Sequence, residues 1–220
     1  MSLLLHIDSA VESASVCLSD DDRVVQVMVN EVTKDHASWL HPSIQELLQN
    51  NNRTFSELSA ISISKGPGSY TGLRVGMAAA KGLCFALNIP LITINTLKLM
   101  ASAAKDESNR LLCPMIDARR MEVFTAVYDQ ELRELAAPSN LVLTANSFQS
   151  ILEREPIVFF GNGSTKFRQL TQNSRAFFKE SRFTAADMVD LAYSSFLKGE
   201  FANLAYSEPF YGKEFYSTLP

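Results

Sequence analysis

The sequence predicts an α/β fold made of two related lobes. Three observations carry that reading. The chain opens with three short strand-like runs, continues with alternating helical and strand patterns, and partly repeats its opening at half-chain spacing. Leu3-Leu4-Leu5-His6-Ile7 is the first run, Ala14-Ser15-Val16-Cys17-Leu18 the second, and residues 24–29 the third. A polar turn, Ser19-Asp20-Asp21-Asp22, joins the last two as in an antiparallel meander. Leu40, Ile44, Leu47 and Leu48 then share one helical face, with Pro42 inside the pattern, so this helix starts near the proline or kinks there. Thr54-Phe55-Ser56-Glu57 has the spacing of a capping box, and residues 60–64 read as a buried strand. A loop over 65–70 leads into a helix over 71–87, with Asn88 as its C-terminal cap and Pro90 limiting continuation. A strand over 91–94 and a helix from Thr96 to about residue 104 complete the half. The order β-β-β-α-β-α-β-α is that of the ribonuclease-H-like fold.

After the polar stretch 105–109, Leu111-Leu112-Cys113-Pro114-Met115-Ile116-Asp117-Ala118 echoes residues 3–10, an apolar strand ending in Asp and a small residue. Strands are expected over 122–129, 141–143 and 157–160, and helices over 147–154 and 185–197. Two ribonuclease-H-like lobes side by side make the actin, sugar-kinase and Hsp70 (ASKHA) architecture. The second lobe reads as abbreviated, because its helices are fewer and less clearly patterned. The expected lobes are residues 1–104 and 105–220, the final segment being free to pack back on the first.

Composition narrows the function classes. Hydrophobic residues make up 46% of the 220 and charged residues 20%, as in ordinary globular proteins. No apolar run approaches the ~20 residues of a membrane span. The opening MSLLLHIDS lacks a positive n-region, so it reads as a strand and not as a signal peptide, and a cytoplasmic protein is expected. Cys17, Cys84 and Cys113 are far apart, without a CxxC pair, and read as small buried hydrophobes. The net charge of −4 and scattered Lys and Arg, with Arg119-Arg120 the longest basic run, argue that any RNA is gripped mainly by another subunit.

The segment Gly66-Pro67-Gly68-Ser69-Tyr70-Thr71-Gly72-Leu73-Arg74-Val75-Gly76 follows a strand and opens a helix, where free N–H groups favour an anion. It lacks the Gly-Lys-Ser/Thr of a P-loop and the acidic residue of a dinucleotide fingerprint. A tight turn and a phosphate cradle, the latter using Gly66, Gly68, Ser69 and Thr71, both remain open. Within the helix, Gly72, Gly76 and Ala80 recur every four residues and leave one face almost bare. That face serves either the protein's own sheet or, on the sharper reading, a helix of another chain, with Leu73, Met77 and Leu83 as apolar rim and Leu40 on the preceding helix. The sharper reading expects Gly76→Arg to fold but lose its partner. His36 and His41 lie five residues apart, so their rings diverge by roughly 140° on a helix. His6 reads as a core residue, and no metal site is expected.

Several motifs together resemble the TsaB (YeaZ) family. The glycine-rich stretch 66–76 is similar to that family's signature, and TsaD, the larger catalytic relative, shares a related segment. Ile7-Asp8-Ser9-Ala10 with Ser15-Val16-Cys17-Leu18 resembles its opening hairpin. Ile116-Asp117-Ala118-Arg119-Arg120-Met121-Glu122-Val123-Phe124 resembles its second-lobe strand motif, and Glu208-Pro209-Phe210-Tyr211 its C-terminal Pro-x-Tyr element. The roles of Asp117, Arg119, Glu122, Pro209 and Tyr211 stay open. Gly212-Lys213 stands where a hydrophobic residue and an Arg are more typical, and Lys lacks the bidentate fork of Arg.

The resemblance implies a non-catalytic subunit that pairs with a TsaD-type enzyme and supports transfer of threonylcarbamoyl to adenosine 37 of tRNA. It also implies a TsaE-type ATPase in the complex, a homodimer when the chain is alone, tRNA contact only through the complex, and no intrinsic cofactor, ATP or ADP belonging to the assembly. Asp8 matches the position where active members of the wider fold hold an Asp near metal-bound phosphate; a turn residue bonding the hairpin backbone is the favoured alternative. A weak autonomous ATPase is the second function kept, and a metallopeptidase, which needs a metal site, the third.

Overall fold

The computed structural model describes residues 2–30, 32, 36–105 and 109–212. Among these residues it divides into two units, the first 2–99 with Phe183–Phe210, the second Met100–Arg182 with Tyr211 and Gly212. The boundary therefore falls a few residues before the polar stretch expected to mark it. Residues 183–210 form part of the first unit.

The first unit is built on one sheet, order β3-β2-β1-β4-β5, of β1 (Leu3–Asp8), β2 (Ala14–Asp20), β3 (Arg23–Asn30), β4 (Leu58–Ser64) and β5 (Leu91–Ile94). The first three are an antiparallel meander, while β4 and β5 add in parallel. Alternate residues of β1 serve opposite faces. Leu3, Leu5 and Ile7 pack with α1 (His36–Asn50) and α2 (Tyr70–Leu87). Leu4 packs on the other face, with Ala185, Met188, Val189 and Ala192 from a 3-10 turn and α6 (Val189–Lys198). Burial on both faces explains why β1 reads as a continuous apolar run. Helix α1 starts at His36 and runs through Pro42, and α3 (Thr96–Ala104) follows β5. Asn88 caps α2 in the left-handed region, and the Thr54 N–H donates to Glu57 Oε2 at 2.7 Å in the expected capping box.

The second unit repeats the topology. Its sheet is β10-β9-β6-β7-β8, made of β6 (Leu111–Asp117), β7 (Glu122–Tyr128), β8 (Glu134–Val142), β9 (Ile157–Phe160) and β10 (Ala176–Phe178). Read from β8, this is the first sheet's order, with the same antiparallel meander and the same two parallel additions. The chain is thus a pair of ribonuclease-H-like lobes of the actin, sugar-kinase and Hsp70 type, the second abbreviated. The shortening is in the helices: α4 (Gln149–Leu152) has 4 residues and α5 (Ser164–Leu170) has 7, against 15 and 18 for α1 and α2. Aromatic side chains fill the space left. Phe148, Phe159 and Phe167 are mutually in contact with centroids 4.8–5.3 Å apart, and Phe178 stacks on Phe159.

Two sequence expectations need correction here, and two elements have no counterpart among them. The strand read at 141–143 is the end of the longer β8, whose earlier part is masked in sequence by Pro138 and scarce β-branched residues. Neither β10 nor α5 was expected, both being too short to establish a period. The helix over 185–197 is a 3-10 turn, Ala185–Met188, followed by α6.

Candidate functional site at the glycine-rich loop

The loop 65–69 leaves β4 and enters α2, whose first turn is capped by Ser69 Oγ accepting from the Gly72 N–H at 3.3 Å. Its glycines are explained by close approach of this chain's own backbone. Gly66 has φ +110°, and a Cβ there would lie 2.2 Å from the Phe210 carbonyl oxygen. At Gly68 a Cβ would lie 2.1 Å from the Ala10 carbonyl oxygen, which also accepts the Ser69 N–H at 2.7 Å. Gly66 is further tied to Thr96, its N–H donating to Oγ1 and its carbonyl accepting the Thr96 N–H. The bare sides of Gly66 and Gly68 thus meet carbonyl oxygens, whose partial negative charge opposes a phosphate. Thr71 is exposed at the start of α2.

Asp8 lies at the end of β1, 1% exposed. Its Oδ1 accepts from Ser64 Oγ and from the Ala10 N–H at 3.2 Å, while Oδ2 has no hydrogen-bond partner among the described residues. Burial pushes the carboxyl up to about 6; the Ser64 and Ala10 bonds and nearby His36 pull down, and Asp187 pushes up. The Ala10 bond is the turn contact anticipated from sequence, and Ser64 adds a cross-strand partner that sequence does not disclose.

The small-residue stripe turns inward, which corrects the docking reading. Gly72, Leu73, Gly76, Met77 and Ala80 are buried, as is Leu40 on α1, and Leu83 is half-buried against the same core. A Cβ on Gly72 would meet the Ser9 carbonyl oxygen at 2.1 Å; on Gly76 it would meet Ser9 Oγ at 2.2 Å and Ile63 Cδ1 at 3.0 Å. The stripe lets α2 lie directly on the end of β1, and Gly76→Arg has no room to fold. The outward face of α2 carries Tyr70, Arg74, Ala78, Gly82 and Phe85, the last 81% exposed and Arg74 stacked 4.0 Å from the Tyr70 ring centroid. The missed signal was the complementary four-residue spacing on the same helix.

At the matching position of the second lobe, Asp117 is exposed. Its Oδ1 accepts from Lys166 Nζ at 2.7 Å and the Arg119 N–H at 2.6 Å, holding the carboxyl below its ordinary range against a partial burial cost. Asp117 therefore pairs with Lys166, not with the Arg119 side chain. Glu122 Oε2 accepts from Asn140 across the β7-β8 pair. Pro209 is half-buried in the segment whose Phe210 N–H donates to the Lys65 carbonyl. Tyr211 belongs to the second unit.

The three histidines stand apart in role. His6 is fully buried, hydrogen-bonded at 2.7 Å to Ser62 Oγ and 2.8 Å to Ser19 Oγ, and burial lowers its pKa to about 3, so the ring is neutral. His36 donates from Nε2 to the Val11 carbonyl, and His41 is exposed on α1. Among the described residues no group of three His, Cys, Asp or Glu could hold a metal ion. Burial pushes all three cysteine thiols up to about 12.

Duplicated ribonuclease-H-like lobes with a glycine-rich turn entering the second helix of the first define an actin-like fold. The family model described as TsaD, tRNA N6-adenosine threonylcarbamoyltransferase, matches residues 27–211. The tRNA threonylcarbamoyladenosine biosynthesis protein TsaB of Bacillus subtilis is 30% identical over 173 residues, covering 77% of this chain and 75% of that protein. TsaB of Escherichia coli is 27% identical, covering 94% and 93%. A Pseudomonas aeruginosa crystal structure, described as an uncharacterized protein with similarity to peptidase YeaZ, superposes with a TM-score of 0.86 at 26% identity, covering 97% of this chain and 100% of that one. The chain belongs to the TsaB (YeaZ) family of tRNA threonylcarbamoyladenosine biosynthesis proteins.

Proposed function

We propose that this chain is the non-catalytic subunit that pairs, through its first lobe, with a TsaD-type enzyme and supports transfer of threonylcarbamoyl to adenosine 37 of tRNA. The observation that carries the reading is the outward face of α2. Phe85, 81% exposed, stands beside the small residues Ala78 and Gly82, which would let a partner helix approach closely. An exposed aromatic next to small residues has the form of an interface anchor. In this reading ATP or ADP belongs to the complex and is held by the partner, a TsaE-type ATPase joins the assembly, and tRNA is reached only through the complex. Without its partner the chain closes a homodimer through the same face. It works in the cytoplasm; no described helix is long and apolar enough to cross a membrane.

Size-exclusion chromatography with light scattering tests the proposal, using the chain alone and mixed with the cognate TsaD-type protein. The expected outcome is a heterodimer forming at the expense of the lone species. Phe85→Glu is expected to keep the native circular dichroism spectrum and to lose the complex. An undiminished complex with Phe85→Glu would remove α2 from the interface. Nucleotide hydrolysis by the isolated chain, abolished in Asp8→Ala, would make the chain an enzyme in its own right.

A further inference from the structure

We infer that residues 200–210 form a strap latched by Lys81, which closes the edge of the first sheet and covers the glycine-rich loop. The strap leaves the end of α6 and crosses β5, the outer strand, where the Ala202 N–H donates to the Leu91 carbonyl at 2.8 Å in an isolated antiparallel bridge. It ends where the Phe210 N–H donates to the Lys65 carbonyl at 2.7 Å and the Phe210 carbonyl fills the space beside Gly66. Between these points the chain makes a turn of its own. Asn203 Oδ1 accepts from the Ala205 and Tyr206 N–H groups, and the Asn203 carbonyl accepts from Ser207 N–H and Oγ.

Lys81 of α2 holds that turn from outside. Its ammonium donates to the Ala205 carbonyl at 3.2 Å and to the Ser207 carbonyl at 2.9 Å. One cation thus gathers two carbonyls of a turn, as a basic side chain does at a helix C-terminus. Apolar anchoring is limited: Phe201 meets the Phe196 ring of α6 at 6.1 Å, Ala202 and Leu204 pack partly on the core, and Asn203, Ala205, Tyr206, Glu208 and Phe210 are exposed. A segment with few buried contacts and a charge-assisted attachment opens at lower free energy than the sheet beneath it. Opening it frees the Leu91 carbonyl at the edge of β5 and the bare side of Gly66.

Amide hydrogen exchange on the full chain, in the wild type and Lys81→Met, tests this. Methionine keeps the apolar stem and removes the cation. Exchange at Ala202, Ser207 and Phe210 is expected to accelerate by about tenfold or more, with β1 and β4 unchanged. Chymotrypsin is expected to cut faster at Tyr206, and Lys81→Arg to restore protection. Asn203→Ala, which loosens the turn without touching α2, should produce the same local pattern. Unchanged protection over 200–210 in both variants, or a loss spread evenly through β1 and β4, would overturn the latch.

Discussion

A buried carboxylate with one unpartnered oxygen makes Asp8 a sensitive single residue. Its ordinary value is 3.8 and its folded value about 6. Below the lower value both folded and unfolded states hold the proton, and Asp8 costs nothing. Between the two values the unfolded chain ionises while the folded one resists, so stability falls as pH rises; above about 6 the full penalty, roughly 3 kcal/mol, is in place. Asp8→Asn keeps an acceptor for Ser64 and Ala10 and removes the ionisation. Chemical denaturation across this window should therefore show a smaller fall in unfolding free energy for the variant. Equal slopes in the two proteins would mean that Asp8 ionises freely in the fold. The sequence places Asp8 at a strand end and suggests its turn bond, but the depth of burial depends on Ser64 of β4, more than fifty residues away in the chain.

The helix α2 shows what periodicity can and cannot disclose. Its limits, its Asn88 cap and its four-residue stripe of small residues are all readable from local sequence, because each follows from backbone geometry. Which face turns inward is not, since a bare stripe suits a sheet as well as a partner. The three glycines of this helix separate the cases experimentally. Each change to Ala gains ~1 kcal/mol of helix propensity. At Gly82 nothing lies within 4 Å of the new Cβ, so Gly82→Ala should stabilise by up to that amount. Gly76→Ala forces aside Ser9 Oγ, which donates to the Gly72 carbonyl, and should cost about 1–3 kcal/mol. Gly72→Ala meets the Ser9 backbone carbonyl, which no rotamer change can move, and should be the most harmful. Any other ranking in denaturant unfolding would place the inward face elsewhere.

At the scale of the whole molecule, the duplication was legible because Asp8 and Asp117 end similar apolar runs, and the two sheets repeat one strand order in agreement with it. The return of residues 183–210 to the first unit was less so, because a chain's final helix carries no local mark of which core it joins. The charge balance belongs to this scale too. A net charge of −4 sets long-range repulsion against a polyanion, and along the sequence Lys and Arg are scattered, with Arg119-Arg120 the longest basic run. Lys166, a cation close to the second-lobe motif, is committed to Asp117. RNA affinity rests largely on phosphate neutralisation and counterion release, which this chain is poorly equipped to supply. The isolated protein is therefore expected to leave tRNA unshifted in a gel assay at physiological salt, and to enter a tRNA complex only with its enzyme partner. Tight binding by the lone chain that weakens steeply with added salt would require a phosphate-contacting surface of its own, and would make it a direct reader of the tRNA backbone.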